Sequence, residues 1–90
     1  MKAPMIAINC GERSVELLFR ELRKAEKKHP SWPNGLAWPL AIIGEEYGEA
    51  CQAAIEFEFN KAPLEDVRTE LAQCAAMCLR TLIAIEDGGA

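Results

Sequence analysis

The chain has a single histidine, His29, and no lysine or arginine from Leu36 to Asn60. The lone histidine argues against a carboxylate-bridged di-iron centre, which uses Glu-x-x-His pairs, because His29 does not stand at that spacing. No run approaches the roughly 20 apolar residues of a membrane span. No stretch alternates apolar and polar residues in the manner of a strand, which excludes a sheet-based fold. The four cysteines, Cys10, Cys51, Cys74 and Cys78, match neither a zinc knuckle nor a thioredoxin pair. Near the N-terminus there is no long apolar core with a cleavage site. A cytoplasmic protein with reduced thiols is therefore expected. A pI near 5.0 makes a nucleic-acid surface a poor expectation.

The apolar content is high for so short a chain. Half of the 90 residues are apolar, only 7% are aromatic, and alanines are many. That composition suits tightly packed helices in one domain spanning residues 1–90. A domain of this size buries only a little over half of its unfolded surface. More apolar surface remains than one helical hairpin hides, so self-association is expected.

Charge is unevenly spread. Residues 1–35 carry seven Lys/Arg against four Glu, about +3, and residues 36–90 carry three against ten Asp/Glu, about −7, giving the net −4. The basic part is largely Arg23, Lys24, Lys27 and Lys28 at the end of the first helix. Cations there suit the helix C-terminus, and they also suit a polyphosphate.

Three helices are predicted. The first runs from Ser14 or Val15 to about His29, with Ser14 as N-cap, a stripe of Val15, Leu18, Phe19, Leu22 and Ala25, and Pro30 as its stop. Met1–Arg13 shows no clear period, and Met5-Ile6-Ala7-Ile8 fits an extended arm. Pro30 to Gly35 reads as a loop. Trp32 and Trp38 flank the start of the second helix, either packing on the bundle end or offering a stacking surface to a flat ring such as a nucleobase. The second helix is predicted over about 37–59, with Pro39 in its first turn. Gly44 and Gly48 within it each cost about 1 kcal/mol relative to alanine. They imply close approach of a neighbouring helix or a ligand. Asn60-Lys61-Ala62-Pro63 is a tight turn. The third helix is predicted over about 63–87, with Glu65 and Asp66 in its first turn. Its apolar stripe is Val67, Leu71, Cys74, Ala75, Cys78, Leu82 and Ile85, the cysteines reading as small buried residues.

Against this background, Ile42-Ile43-Gly44-Glu45-Glu46-Tyr47-Gly48-Glu49-Ala50 is unusual. Glu46 and Glu49 are three apart, and Glu45 and Glu49 four apart, so they occupy adjacent turns of one face. Such like charges repel by about 0.2–0.5 kcal/mol per pair, and no basic residue lies nearby on this helix. A divalent cation is the economical counter-charge. A second cluster, Asp66, Glu70 and Gln73, also shares a helical face. Antiparallel helices meeting at the turn near residue 60 bring Glu46–Glu49 and Glu70–Gln73 to the same height. Oxygen-bearing side chains then converge from two rigid helices. Arg80, one heptad beyond Gln73, falls near the Trp38–Ile42 level, where it contacts a phosphate, pairs with a carboxylate of the second helix, or lies exposed.

The pattern Glu45-Glu46-x-x-Glu49, then Glu70-Leu71-Ala72-Gln73, resembles the EExxE…ExxD signature of the all-α nucleoside triphosphate pyrophosphatases. This superfamily includes MazG-like proteins, dimeric dUTPases and phosphoribosyl-ATP pyrophosphatases. The phrase around Glu45–Glu49 is most similar to small MazG-like members. The resemblance covers roughly residues 36–87. It implies an all-α fold in which a helical hairpin plus an N-terminal helix assembles into four-helix bundles, as a homodimer or homotetramer. It implies Mg²⁺-dependent (Mn²⁺ as an alternative) cleavage of a nucleoside triphosphate to the monophosphate and pyrophosphate. By position, Glu46, Glu49 and Glu70 match metal ligands, Glu45 matches the additional acid, and Gln73 stands where the family has aspartate. A glutamine carbonyl ligates a hard cation but brings no charge, and Asp66 is placed to compensate through water. Trp32, Trp38 and Arg80 are the candidate substrate contacts. The second reading is a non-catalytic nucleotide-binding or assembly module that kept the fold and lost activity through Gln73.

Overall fold

The computed structural model describes the backbone of residues 3–88 and the side chains from Gly11 to Gly88. The described residues form three α-helices and no strand: α1 (Ala3–Lys28), α2 (Ala37–Asn60) and α3 (Leu64–Glu86). No helix among them is long and apolar enough to cross a membrane.

Helix α1 begins well before the expected Ser14, and the backbone of Met5–Ile8 is helical rather than extended. Two residues that argued against this are cheap where they stand. Pro4 lies in the first turn, where a missing N–H breaks no hydrogen bond. Gly11 is a single glycine costing about 1 kcal/mol, outweighed by flanking residues that tolerate the helix. Ser14 is consequently an exposed mid-helix residue and not a cap. Pro30 stops the helix, whose last turn is closed by the His29 N–H donating to the Ala25 carbonyl at 2.8 Å. Eight residues, 29–36, carry the chain across the same end of the molecule to α2.

Helix α2 starts at the expected place, with Pro39 fully buried in its first turn. It ends at Asn60, where Lys61 adopts a left-handed conformation, φ 61° and ψ 25°. The Ala62 N–H reaches back to the Glu56 carbonyl at 3.0 Å, closing the helix end. Pro63 stands immediately before α3 with an extended ψ of 141°, which a helix interior would not accept. The turn reverses the chain in three residues, so α2 and α3 are antiparallel neighbours.

Helix α3 is the middle layer. It packs against α2 on one side and α1 on the other, while α1 and α2 do not approach each other among the described residues. Residues Glu21 and Ala25–His29 of α1 meet Gln73 and Arg80 of α3 in ascending order, so these two helices run parallel.

The interior is small. Leu17, Leu22, Ala50, Ala72 and Ala76 are buried, alongside the polar residues Glu21, Arg80 and Thr81. Thr81 is satisfied within its helix, its hydroxyl donating to the Met77 carbonyl at 2.9 Å. Of the apolar stripe expected on α1, Leu22 is buried and Leu18 and Ala25 are half-buried, but Val15 and Phe19 are exposed and Leu17 takes their place. On α3 the difference is larger. Leu71, Ala75, Cys78, Leu82 and Ile85 are exposed, while Ala72, Ala76 and Arg80 face inward. Alanines let the flanking helices come close, and the larger residues are left on the outer face. Cys51 and Cys74 are half-buried and Cys78 is exposed, and the Cys10 side chain lies outside the described residues. Gly44 and Gly48 are exposed, and a methyl group added at either would meet nothing within 4 Å. The close approach expected of them is therefore absent among the described residues.

The left-handed Lys61 marks a removable strain. A side chain costs about 1–2 kcal/mol in that conformation, and glycine does not. After subtracting the entropy that glycine adds to the unfolded chain, Lys61→Gly is expected to stabilise the fold by about 0.5–1 kcal/mol. Thermal melts read by circular dichroism check this, and an unchanged or lower midpoint contradicts it.

Candidate functional site

Glu46 and Glu49 lie on successive turns of α2, and Glu70 lies on the second turn of α3. The short turn holds the helices antiparallel at matching height, and the three side chains meet. One carboxylate oxygen from each lies within 4.8 Å of the others. Glu49 is exposed, whereas Glu46 and Glu70 are half-buried. Glu46 Oε1 and Glu70 Oε1 are fully shielded atoms with no hydrogen-bond partner. An unpartnered buried carboxylate oxygen is costly unless something ligates it.

The electrostatics agree with the geometry. The Glu46 carboxyl is raised from its usual 4.5, first by burial and then by the charges of Glu49, Glu70 and Glu45. Glu70 is raised from the same value by burial, by the charge of Glu49, by a hydrogen bond with Glu49 that only a protonated carboxyl can donate, and by the charges of Asp66 and Glu21. Among the described residues no cation pairs with these carboxylates, because the ion pairs within the chain are Lys24–Glu21 and Arg68–Glu65. The donor set is oxygen-only, anionic and held on two helices, which fits a hard divalent cation.

The remaining acids take other places. Glu45 is exposed on α2 and acts on the cluster only through its charge at Glu46. Asp66 lines a shallow hollow of about 390 Å³ with Glu49, Gln52 and Glu70. Gln73, half-buried one turn from Glu70, turns its amide toward α1, where Nε2 donates to Glu21 Oε1 at 3.3 Å.

On the α1 side of the carboxylates lies a cavity of about 540 Å³. Its acidic wall is Glu21 and Glu46, with the neutral Gln73 beside them; its basic rim is Lys24, Lys28 and His29; Ile42, Trp32, Pro33 and Met77 supply apolar surface. Of the basic residues singled out in the sequence, Lys24 and Lys28 reach this wall, and Arg23 instead approaches the Phe19 ring at 6.0 Å.

Arg80 also lines the cavity, in a role that none of the sequence readings anticipated. It is 7% exposed, neither paired with an α2 carboxylate nor open to solvent. Its guanidinium donates to the Ala25 carbonyl at 3.3 Å and the His29 carbonyl at 2.7 Å. The Ala25 carbonyl also accepts the His29 N–H, and the His29 carbonyl lies just past the C-terminus of α1, where a cation is favoured. The same group stacks on the Trp32 ring, 4.4 Å from its centroid. Arg80 thus ties α1, the connecting loop and α3 together and shapes the cavity wall.

The tryptophans separate. Trp32 is half-buried on the cavity wall, with Nε1 shielded and lacking a partner. Trp38 is 71% exposed and stands away from the cavity. Ile42 and Glu46 are the α2 residues that line the cavity, and Trp38 is not among its lining residues.

Glu21 was the residue the sequence signature did not reach. Its signal was present: it falls four after Leu17 and four before Ala25, inside the inward stripe of α1. A carboxylate at a core position is rarely left without a purpose.

No family model matches this chain, and neither a curated protein nor a solved structure matches it.

The raised Glu46 and Glu70 fix a sign for stability. A carboxyl raised in the folded state contributes stability that is present below the ordinary value of 4.5 and is lost as pH rises through the raised value. In metal-free protein, Glu70→Gln removes one such group. Its melting temperature relative to the natural protein is expected to rise between about pH 4 and pH 7. A difference independent of pH over that window contradicts the electrostatic account.

Proposed function

We propose that the protein is a Mg²⁺-dependent nucleoside triphosphate pyrophosphohydrolase that cleaves a ribo- or deoxyribonucleotide to its monophosphate and pyrophosphate. The observation that carries the reading is the convergence of Glu46, Glu49 and Glu70 within 4.8 Å, with two shielded oxygens unpartnered, beside a cavity of nucleotide dimensions. Ligand pockets commonly span about 300–1,000 Å³, and 540 Å³ lies inside that range. The resemblance of Glu45–Glu49 and Glu70–Gln73 to the MazG-like signature supports the same reading.

Glu46, Glu49 and Glu70 are the residues that would hold the metal ion. Bound there, Mg²⁺ or Mn²⁺ would supply the Lewis acidity and the bridge to phosphate oxygens that a group of carboxylates lacks. The chain's own residues do the rest. Lys24 and Lys28 lie on the cavity rim, where their positive charge favours a polyphosphate. Trp32, Ile42 and Met77 line the cavity and would offer an apolar wall to the base. Arg80, which also lines the cavity, holds Trp32 in place. Glu45, whose charge acts at Glu46, would be the acid that orients an attacking water.

A second reading is favoured by one observation. Gln73 is neutral and its amide is committed to Glu21, so the centre lacks a fourth charge at that position. A binding or assembly module of the same fold, without turnover, fits that fact.

Pyrophosphate release from a panel of nucleoside triphosphates with Mg²⁺ separates the two. The enzyme reading predicts release by the natural protein and a loss of at least about 100-fold in Glu49→Ala. A nucleotide-dependent rise in melting temperature without release favours the binding module.

Assembly belongs to the same proposal. Leu71, Ala75, Cys78, Leu82 and Ile85 fall at alternating spacings of four and three along α3, and all are exposed. Leu40, Tyr47 and Ile55 of α2 are exposed as well. We infer that a second copy covers this face in a four-helix arrangement, giving a homodimer or homotetramer in which the bare Gly44 and Gly48 admit a close neighbour. Sedimentation of the natural protein is expected to show the oligomer and Leu82→Glu the monomer; a monomeric natural protein contradicts it.

A further inference from the structure

We propose that Glu21 supplies to the carboxylate centre the negative charge that position 73 lacks, with Gln73 as the positioning residue between them. The inference rests on the metal-dependent reading above and concerns how the charge of that centre is distributed.

Glu21 is 6% exposed, on a helix that contributes none of the three converging carboxylates. A carboxylate so deeply placed is normally neutralised by a good ion pair. Here the pair is poor. Its one cation is Lys24, with Nζ at 3.2 Å from Oε2, and that lysine side chain is 64% exposed. Water screens such a cation, and pairs of this kind contribute little. The other partner is the neutral Gln73 amide. Arg80, the buried guanidinium on the same cavity, donates to the α1 carbonyls and forms no ion pair with Glu21. Glu21 is therefore buried with one exposed cation and one neutral amide as its partners.

The orientation of Gln73 follows from chemistry. A carboxylate accepts hydrogen bonds and cannot donate them, so the amide nitrogen must face Glu21. The amide oxygen is left without a donor among the described residues, one helical turn from Glu70. Glu21, Gln73 and Glu46 line the same cavity wall. A cation held by Glu46, Glu49 and Glu70 would have the neutral Gln73 one helical turn from Glu70, with Glu21 bonded behind it. The number of negative groups is four, with one moved from α3 to α1.

This has a consequence for substitution at position 73. An aspartate there would not simply complete the site. It would set a carboxylate against buried Glu21, where the amide now donates at 3.3 Å. Gln73→Asp is therefore expected to destabilise the metal-free protein, and the charge can be moved without harm only by exchanging both positions.

The test is Mn²⁺ binding followed by electron paramagnetic resonance titration, with melting temperatures measured with and without Mn²⁺. Glu21→Gln is expected to weaken Mn²⁺ binding by about 10-fold. The double variant Glu21→Gln with Gln73→Asp is expected to recover most of that loss. If Glu21 serves packing alone, the double variant stays as weak as Glu21→Gln, and the proposal is overturned. Glu49→Ala separates this from the broader reading. If it loses Mn²⁺ binding while Glu21→Gln keeps the natural affinity, the metal centre stands and the role of Glu21 falls. If the natural protein binds no Mn²⁺, both fall. Should Glu21→Gln fail to fold, Gln73→Asp alone decides. Its metal-free melting temperature must lie below that of the natural protein and rise more with Mn²⁺, and an unchanged value overturns the proposal.

Discussion

Mutual repulsion among Glu46, Glu49 and Glu70 is the constraint around which the chain is arranged. Three carboxylates within 4.8 Å, two of them with a shielded and unpartnered oxygen, are costly for the chain alone. The fold enforces that cost through backbone geometry. The three-residue turn at 61–63 sets the height at which α2 meets α3. Alanines at 50, 72 and 76 allow the helices to come close. Arg80 then fixes α1 by binding its terminal carbonyls, which closes the cavity beside the carboxylates. Hydrogen bonds to charged donors contribute about 1.5–3 kcal/mol each, so this one side chain is a principal tie between α1 and α3.

The cavity and the carboxylates make chemical sense together. One wall is acidic, the rim is basic, and the surface between is apolar. A triphosphate has phosphates that need both a bridging cation and nearby lysines, and a base that needs a flat apolar wall. The proposed pyrophosphohydrolase uses every one of these features, whereas a purely structural account leaves the two orphan oxygens and the burial of Glu21 unexplained.

The hairpin and the convergence of its carboxylates were legible in the sequence because both follow from helix arithmetic. Spacings of three and four fix a face, and distance from a turn fixes a height. The ends of α2 and α3 were legible from Pro39, the Asn60–Pro63 turn and the terminal glycines. What required the third helix was not legible. Glu21 and Arg80 act between α1 and α3, which are far apart in the chain, and no local spacing reports that pairing. The inward face of α3 was misread for a related reason. The stripe of larger apolar residues from Leu71 to Ile85 looked like the core, but small residues and an arginine took the interior. Periodicity shows that a helix has an apolar face without showing which neighbour covers it. Trp38 likewise stood near Trp32 in the chain, yet a helix start turned it outward.

The account depends most directly on a divalent cation lying among Glu46, Glu49 and Glu70. Crystals grown with Mn²⁺ and measured for anomalous scattering test this without reference to any substrate. A single strong peak contacting all three carboxylates is the predicted result. No peak, or one outside this cluster, would contradict the central claim.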